Sequence, residues 1–220
     1  MKAAKKVELL APAGNAEAFY GAIHAGADAI YLGGSRFGAR AYAENFSEEE
    51  LVACIRYAHL FQRKVYLTVN TLVKESEFSG LYEYVLPYYR AGLDGVIIQD
   101  MGVFAYLREH FPGMELHGST QMTITGEYGA AFLKEQGACR VVPARELTLP
   151  EVEALCRERS FRSSISLRSN ALSMEPCVIA IPDSACSAVF WGAEVATEDV
   201  VPSLVACPIP LENIRRNVIL

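Results

Sequence analysis

Eleven polar residues stand just after, or at the ends of, short apolar runs: Asn15, Arg36, Arg40, Asn70, Gln99, Asp100, His117, Ser119, Gln121, Arg145 and Glu146. Their chemistry divides into two jobs. Asp100 and Glu146 are candidate catalytic carboxylates for proton transfer, and His117 is a candidate base near neutral pH. Asn15, Arg40, Asn70, Gln99, Ser119, Gln121 and Arg145 offer amide, hydroxyl and guanidinium groups that could bind and orient a polar substrate. Plainer roles compete. Asp100 before "MGVF" has the form of a helix cap, and Arg145 beside Glu146 can pair with it.

A metal reading fares worse. Cys54, Cys139, Cys156, Cys177, Cys186 and Cys207 form no C-x-x-C pair and no zinc spacing, so no metal ligand set is expected. Cys54 and Cys156 fall in helical patterns and read as small core residues. His24, His59 and His110 also fall on helices, with no carboxylate or cysteine at ligand spacing. The run "LYEYVLPYYR" is aromatic enough to stack a base, but its helical spacing reads first as a packing face.

The polar positions owe their register to a repeating unit. From Lys6 to about Arg159, β-branched runs ("KVELLAPA", "DAIYLGG", "KVYLTVN", "DGVIIQD", "ELHGSTQ", "RVVPA") alternate with helical patterns. Continuous apolar runs suit parallel strands covered on both faces. Ser47 with Glu50 forms a capping box at the start of the second helix. The junctions "AGADAIYLGG", "AGLDGVIIQD" and "QGACRVVPAR" repeat in register, with Gly26, Gly92 and Gly137 ending a helix where φ is often positive. The spacing predicts an α/β fold of six strand–helix units with right-handed crossovers, and eight such units close a (β/α)₈ TIM-type barrel. "LGGSRFG" is not a dinucleotide fingerprint, which argues against a doubly wound sheet. In such barrels the strand ends carry the chemistry, which is where the candidate residues lie.

Totals narrow the partners. The chain has 220 residues, a net charge of −6 and 51% hydrophobic residues, enough for one domain with a sizeable core. No global basic surface argues for nucleic acid, and no DNA partner is expected. No apolar run approaches the ~18 residues of a membrane span, and the start "MKAAKKVELLAPAGN" is too short in its apolar part for a secretory leader. The cytoplasm is the expected compartment.

The stretches "VELLAPAGNAEAFYGAIHAGADAIYLGGSRFGARAYAENFS", "KVYLTVNTLV", "DGVIIQDMGV", "LHGSTQMTITG" and "RVVPARELTLPE" resemble the bacterial collagenase-like peptidases (peptidase family U, number thirty-two). The resemblance covers about residues 7–159. It implies a TIM-barrel-like N-terminal region and a peptidase-type hydrolase. Its alternative implication is prephenate-dependent hydroxylation of tRNA or ribosomal RNA, or support of ubiquinone hydroxylation. Relatives of this kind can hold an iron–sulfur cluster when full length; none is expected here. The substrate would be a protein or an RNA.

The resemblance stops where the composition changes. The last 61 residues contain no Lys, Tyr or His and a single glycine, Gly192. The family signature there, E-x-F-x-H-G-A-L-C followed by S-G-x-C and R-G-x-C-x-x-P-C-R, is missing from the reading frame. It returns when the codons are shifted. Ser173–Val178 written as TCC ATG GAG CCC TGT GTT and read one frame over contains CAT GGA GCC CTG TGT, which is His-Gly-Ala-Leu-Cys. Permitted codons continue the signature through Ala206. We therefore expect residues 1–159 to be a barrel truncated after about six βα units, and residues 160–220 a frame-shifted, poorly structured and non-family tail. Cys177, Cys186 and Cys207 are then by-products. The open sheet edge would favour self-association, and the chain as it stands would be an inactive product.

Overall fold

The computed structural model describes residues 8–39, 46–148, 150–152 and 155, together with the backbone of three strands at 166–169, 177–180 and 187–189. Six parallel strands lead the chain: β1 (Glu8–Ala13), β2 (Ala29–Gly33), β3 (Lys64–Val69), β4 (Gly95–Ile98), β5 (Glu115–Gly118) and β6 (Arg140–Val141). They lie side by side in chain order. The helices between them are α1 (Ala16–His24), α2 (Glu48–Leu60), α3 (Leu81–Arg90), α4 (Met101–His110) and α5 (Glu127–Glu135). The strands are shorter than their apolar runs: β5 ends at Gly118, and residues 120–122 turn as a 3-10 helix, so Ser119 and Gln121 sit beyond the strand.

Alternation along the strands sorts the side chains into two cores. One parity, including Ile30, Val65, Leu67, Val96 and Leu116, packs under Phe19, Ile55, Val85, Phe104 and Leu133 of the helices. The other parity faces the concave side, where Leu10, Ala29 and Tyr66 cluster with Tyr31, Ile97 and Val142. The sheet curls enough for Arg140 of β6 to reach Glu8 of β1, Nη2 to Oε1 at 2.8 Å. That contact closes the arc into a half-barrel.

The repeated glycine junctions form as expected. Gly26, Gly92 and Gly137 have φ of 93°, 94° and 97°. In each, the next residue's N–H reaches back to the last turn: Ala27 to Ala22, Leu93 to Tyr88 and Ala138 to Leu133. This is the Schellman arrangement that glycine permits. Two residues after the first two glycines an aspartate performs a task the sequence did not announce. Asp28 accepts from the Leu9 N–H at 2.9 Å and Asp94 from the Val65 N–H at 2.8 Å. Each thereby ties the start of its own strand to the start of the preceding one. In the third repeat Cys139 takes this place.

Ser47 and Glu50 make the reciprocal capping box. Tyr84 and Tyr88 of the aromatic run are buried, and Tyr82 and Tyr89 pack against the same core. Cys54 is buried, and burial with the nearby Glu50 pushes its thiol up to about 11. Cys156 lies outside the described residues.

Past the sixth unit, strands β7 (Ser166–Ser169), β8 (Cys177–Ala180) and β9 (Ser187–Val189) pair antiparallel in order, and β9 runs parallel to β1, with Glu8 opposite Ser187. The side chains of these strands, the remainder of 160–220 and the boundary near 159 lie outside the described residues.

Candidate functional site

The concave face carries charge from its N-terminal edge upward. Glu8, Lys64 and Glu115 each open a strand, and Tyr66, His117 and Arg140 stand on the same inward parity. Lys64 Nζ donates to Glu115 Oε1 at 2.6 Å, and His117 Nε2 lies 3.2 Å from Glu115 Oε2. The Arg140 guanidinium sits 5.2 Å from the Tyr66 ring centroid, and the His117 ring lies edge-on to Tyr66 at 4.5 Å. Gly95 makes room for this crossing, because a Cβ there would lie 2.6 Å from the Glu115 carbonyl oxygen. Burial pushes Glu115 up, but hydrogen bonds from His117 and Lys64 outweigh it and hold the carboxyl at about 2. Burial, joined by the Arg140 charge, drives His117 down to about 4 against the pull of Glu115. Burial thus favours uncharged His117 at neutral pH, and the ion pair of Glu115 is with Lys64.

The strand-end residues occupy the opposite, C-terminal rim. Asn15 caps α1, its Oδ1 accepting from Ala18 N–H at 2.8 Å. Asp100 caps α4 through Oδ1, from Gly102 N–H at 2.7 Å and Val103 N–H at 3.0 Å, while its Oδ2 holds Val73 N–H at 3.2 Å. Asn70 Oδ1 accepts from Ala39 N–H at 3.0 Å, and Thr71 Oγ1 donates to the Phe37 carbonyl at 2.9 Å. This pair fastens the loop after β2 over the rim. Ser119 is buried and its Oγ accepts from Gln121 N–H at 3.2 Å. Gln99 is half-buried, Gln121 is exposed, and Arg145 and Glu146 are exposed beside each other in the turn after β6. Arg40 lies outside the described residues. Arg36 stacks on Phe37, its Cζ 4.8 Å from the ring centroid.

The structure thus places Asn70, Gln99 and Ser119 on one inward parity at the rim, with His117 on the same parity two residues below Ser119. Asn15 and Asp100 are held by helix ends. Sequence reasoning missed Glu8, Lys64, Tyr66, Glu115 and Arg140 because charged residues at strand starts resemble solvated edges. The available signal was parity: Glu8, Lys64, Tyr66 and Glu115 each lie an even number of residues from an inward-facing neighbour on their own strands.

Each of the chain's four histidines has a hydrogen-bond partner other than a Ser, Thr or Cys. His24 meets Tyr57, His59 meets Asp94, His110 meets the Tyr106 carbonyl, and His117 meets Glu115. Among the described residues no group of three or more His, Cys, Asp or Glu could hold a metal ion, and no helix is long and apolar enough to cross a membrane. Buried Cys54 and exposed Cys139 do not fit an iron–sulfur ligand set.

A six-stranded, helix-covered half-barrel with polar strand ends defines an α/β protein of TIM-barrel-like build. The chain belongs to Peptidase family U32, which matches residues 14–167. It is 37% identical over 151 residues to tRNA hydroxylation protein P1 of Bacillus subtilis, covering 69% of this chain and 36% of that protein. It is 38% identical over 150 residues to the 23S rRNA 5-hydroxycytidine C2501 synthase of Escherichia coli, covering 68% and 22%. It is 37% identical over 161 residues to the uncharacterized protease MJ0090 of Methanocaldococcus jannaschii, covering 73% and 39%. The chain therefore spans between about a fifth and two fifths of these relatives. Among solved structures, the U32 peptidase Mk0906 shares the fold, with a TM-score of 0.60 at 17% identity over 77% of this chain and 70% of that one.

Proposed function

We propose that the protein to which this barrel belongs takes part in hydroxylating RNA, tRNA or ribosomal, in the cytoplasm, with prephenate as the expected co-substrate. The similarity to tRNA hydroxylation protein P1 over 151 residues carries this reading. The peptidase reading draws on the family description and on the name of the archaeal relative. A hydrolase working through Ser, Thr or Cys needs that group hydrogen-bonded to a base, and among the described residues no histidine is hydrogen-bonded to a Ser, Thr or Cys. Amides and hydroxyls at Asn70, Gln99 and Ser119, with Arg36 in the loop after β2 and Arg145 in the turn after β6, suit recognition of a polar, anionic small molecule.

The assignment concerns the whole protein, and the chain of 220 residues contributes its barrel half. The test is nucleoside mass spectrometry on a strain lacking an RNA hydroxylation relative, complemented with this gene as it stands and with its frame restored. Return of a hydroxylated nucleoside with the restored gene is the expected result. No return, together with gelatin cleavage by the purified restored protein, would transfer the assignment to peptidase.

A further inference from the structure

Part of the concave face is left with hydrogen-bonding groups that no described residue matches. Arg140 is 2% exposed, yet among the described residues its Nε and Nη1 have no acceptor, and the buried Nδ1 of His117 has no partner. The two residues are register partners on adjacent strands, and both lie against the Tyr66 ring. Buried polar atoms are almost always satisfied, so these three call for a partner.

Its polarity follows from the neighbours. Glu115 is ionised and can only accept, so the proton of His117 sits on Nε2 and Nδ1 presents a lone pair. Arg140 can only donate. The occupant must accept from arginine and donate to histidine, which a hydroxyl does with one oxygen. Two arginine nitrogens are unmet against one histidine lone pair, so a second oxygen is needed. Charge selects further. Glu8 balances Arg140 and Glu115 balances Lys64, at 2.8 and 2.6 Å, leaving the network neutral. An added carboxylate would bring an uncompensated buried charge, whose desolvation is costly.

We propose that this face is a binding site for an uncharged polyol, one hydroxyl accepting from Arg140 and donating to His117 over the Tyr66 ring. On the next inward positions towards the rim, Gln99 makes no hydrogen bond to a described residue and Ser119 keeps its hydroxyl proton for donation. They extend the site upward. The site stands whichever reaction the whole protein performs.

The test uses the full chain labelled with ¹⁵N-histidine. Ribose and glycerol are titrated in turn, with lactate as the anionic comparison, and the imidazole nitrogens of His117 are followed by NMR. A saturable shift of Nδ1 with a polyol and none with lactate is expected. His117→Phe should weaken polyol affinity at least tenfold, read by calorimetry. The paired variant Glu8→Gln/Arg140→Met, which removes the ion pair together, should abolish binding with an unchanged circular dichroism spectrum. A response to lactate alone would make this an anion site and overturn the proposal. No response to any of the three would assign the place to ordered water or another part of the protein, and would overturn it equally.

Discussion

Replacing Arg140 with methionine tests the contact that spans the curled sheet. Arg140 and Glu8 are side chains only 2% and 14% exposed, 2.8 Å apart, from opposite edges of the six-strand array. At an effective dielectric near 20, that separation corresponds to about 6 kcal/mol of attraction. Most of it offsets desolvation, so the pair itself adds little net stability. Removing one partner is another matter, because the Glu8 carboxylate would stay buried without its cation; such losses run to about 3–5 kcal/mol. The methionine also forfeits the guanidinium over Tyr66, worth about 0.5–2 kcal/mol. Taking about 4 kcal/mol and a urea slope near 2 kcal/mol/M, the unfolding midpoint of Arg140→Met should fall by about 2 M. Glu8→Gln/Arg140→Met should recover most of that loss, since no charge is stranded. Urea titration followed by far-ultraviolet circular dichroism gives both numbers. If the single variant shifts by under about 0.5 M, or the paired variant is as unstable as the single one, the reasoning fails.

Four further outcomes are expected. Asp100→Ala should cost about 1–2 kcal/mol in urea unfolding by freeing the start of α4, and Asp100→Asn distinctly less, because the amide oxygen still accepts. His117 is held at about 4 in the fold against its ordinary 6.5, so between those values the unfolded chain binds a proton that the folded chain refuses. Stability should therefore fall as pH drops from about 6.5 to 4 and then lose this contribution's slope; His117→Gln should flatten that limb in urea midpoints measured across pH. Gly137→Ala should destabilise by about 1 kcal/mol in the same assay, because φ is 97° while the nearest atom to the new Cβ, Arg108 Cδ, is an ordinary 3.6 Å away. Sequencing the locus should reveal a single-base insertion or deletion near codons 157–165; an uninterrupted frame would sink the frame-shift reading.

What could be read in advance was what repeats locally. The helix–glycine–strand junctions at Gly26, Gly92 and Gly137, the Ser47–Glu50 box and the apolar strand runs depend on neighbours a few residues apart, and the linear sequence holds those neighbours in view. The rim positions Asn70, Gln99 and Ser119 were legible for the same reason, since a strand end is marked by its own run. Asp100 could be read two ways, and the N–H groups of Gly102 and Val103 that it accepts show the cap at work.

What only the tertiary structure decided is which distant charges meet. Glu8 and Arg140 are separated by 132 positions, Lys64 and Glu115 by 51, and no periodicity links them. They come together because a twisted parallel sheet curls until its inward faces converge. Curvature is a property of six strands packed side by side, not of any one segment. Local patterning set the strands and their caps; long-range curl turned four unremarkable strand-start charges into a buried network around Tyr66 and His117.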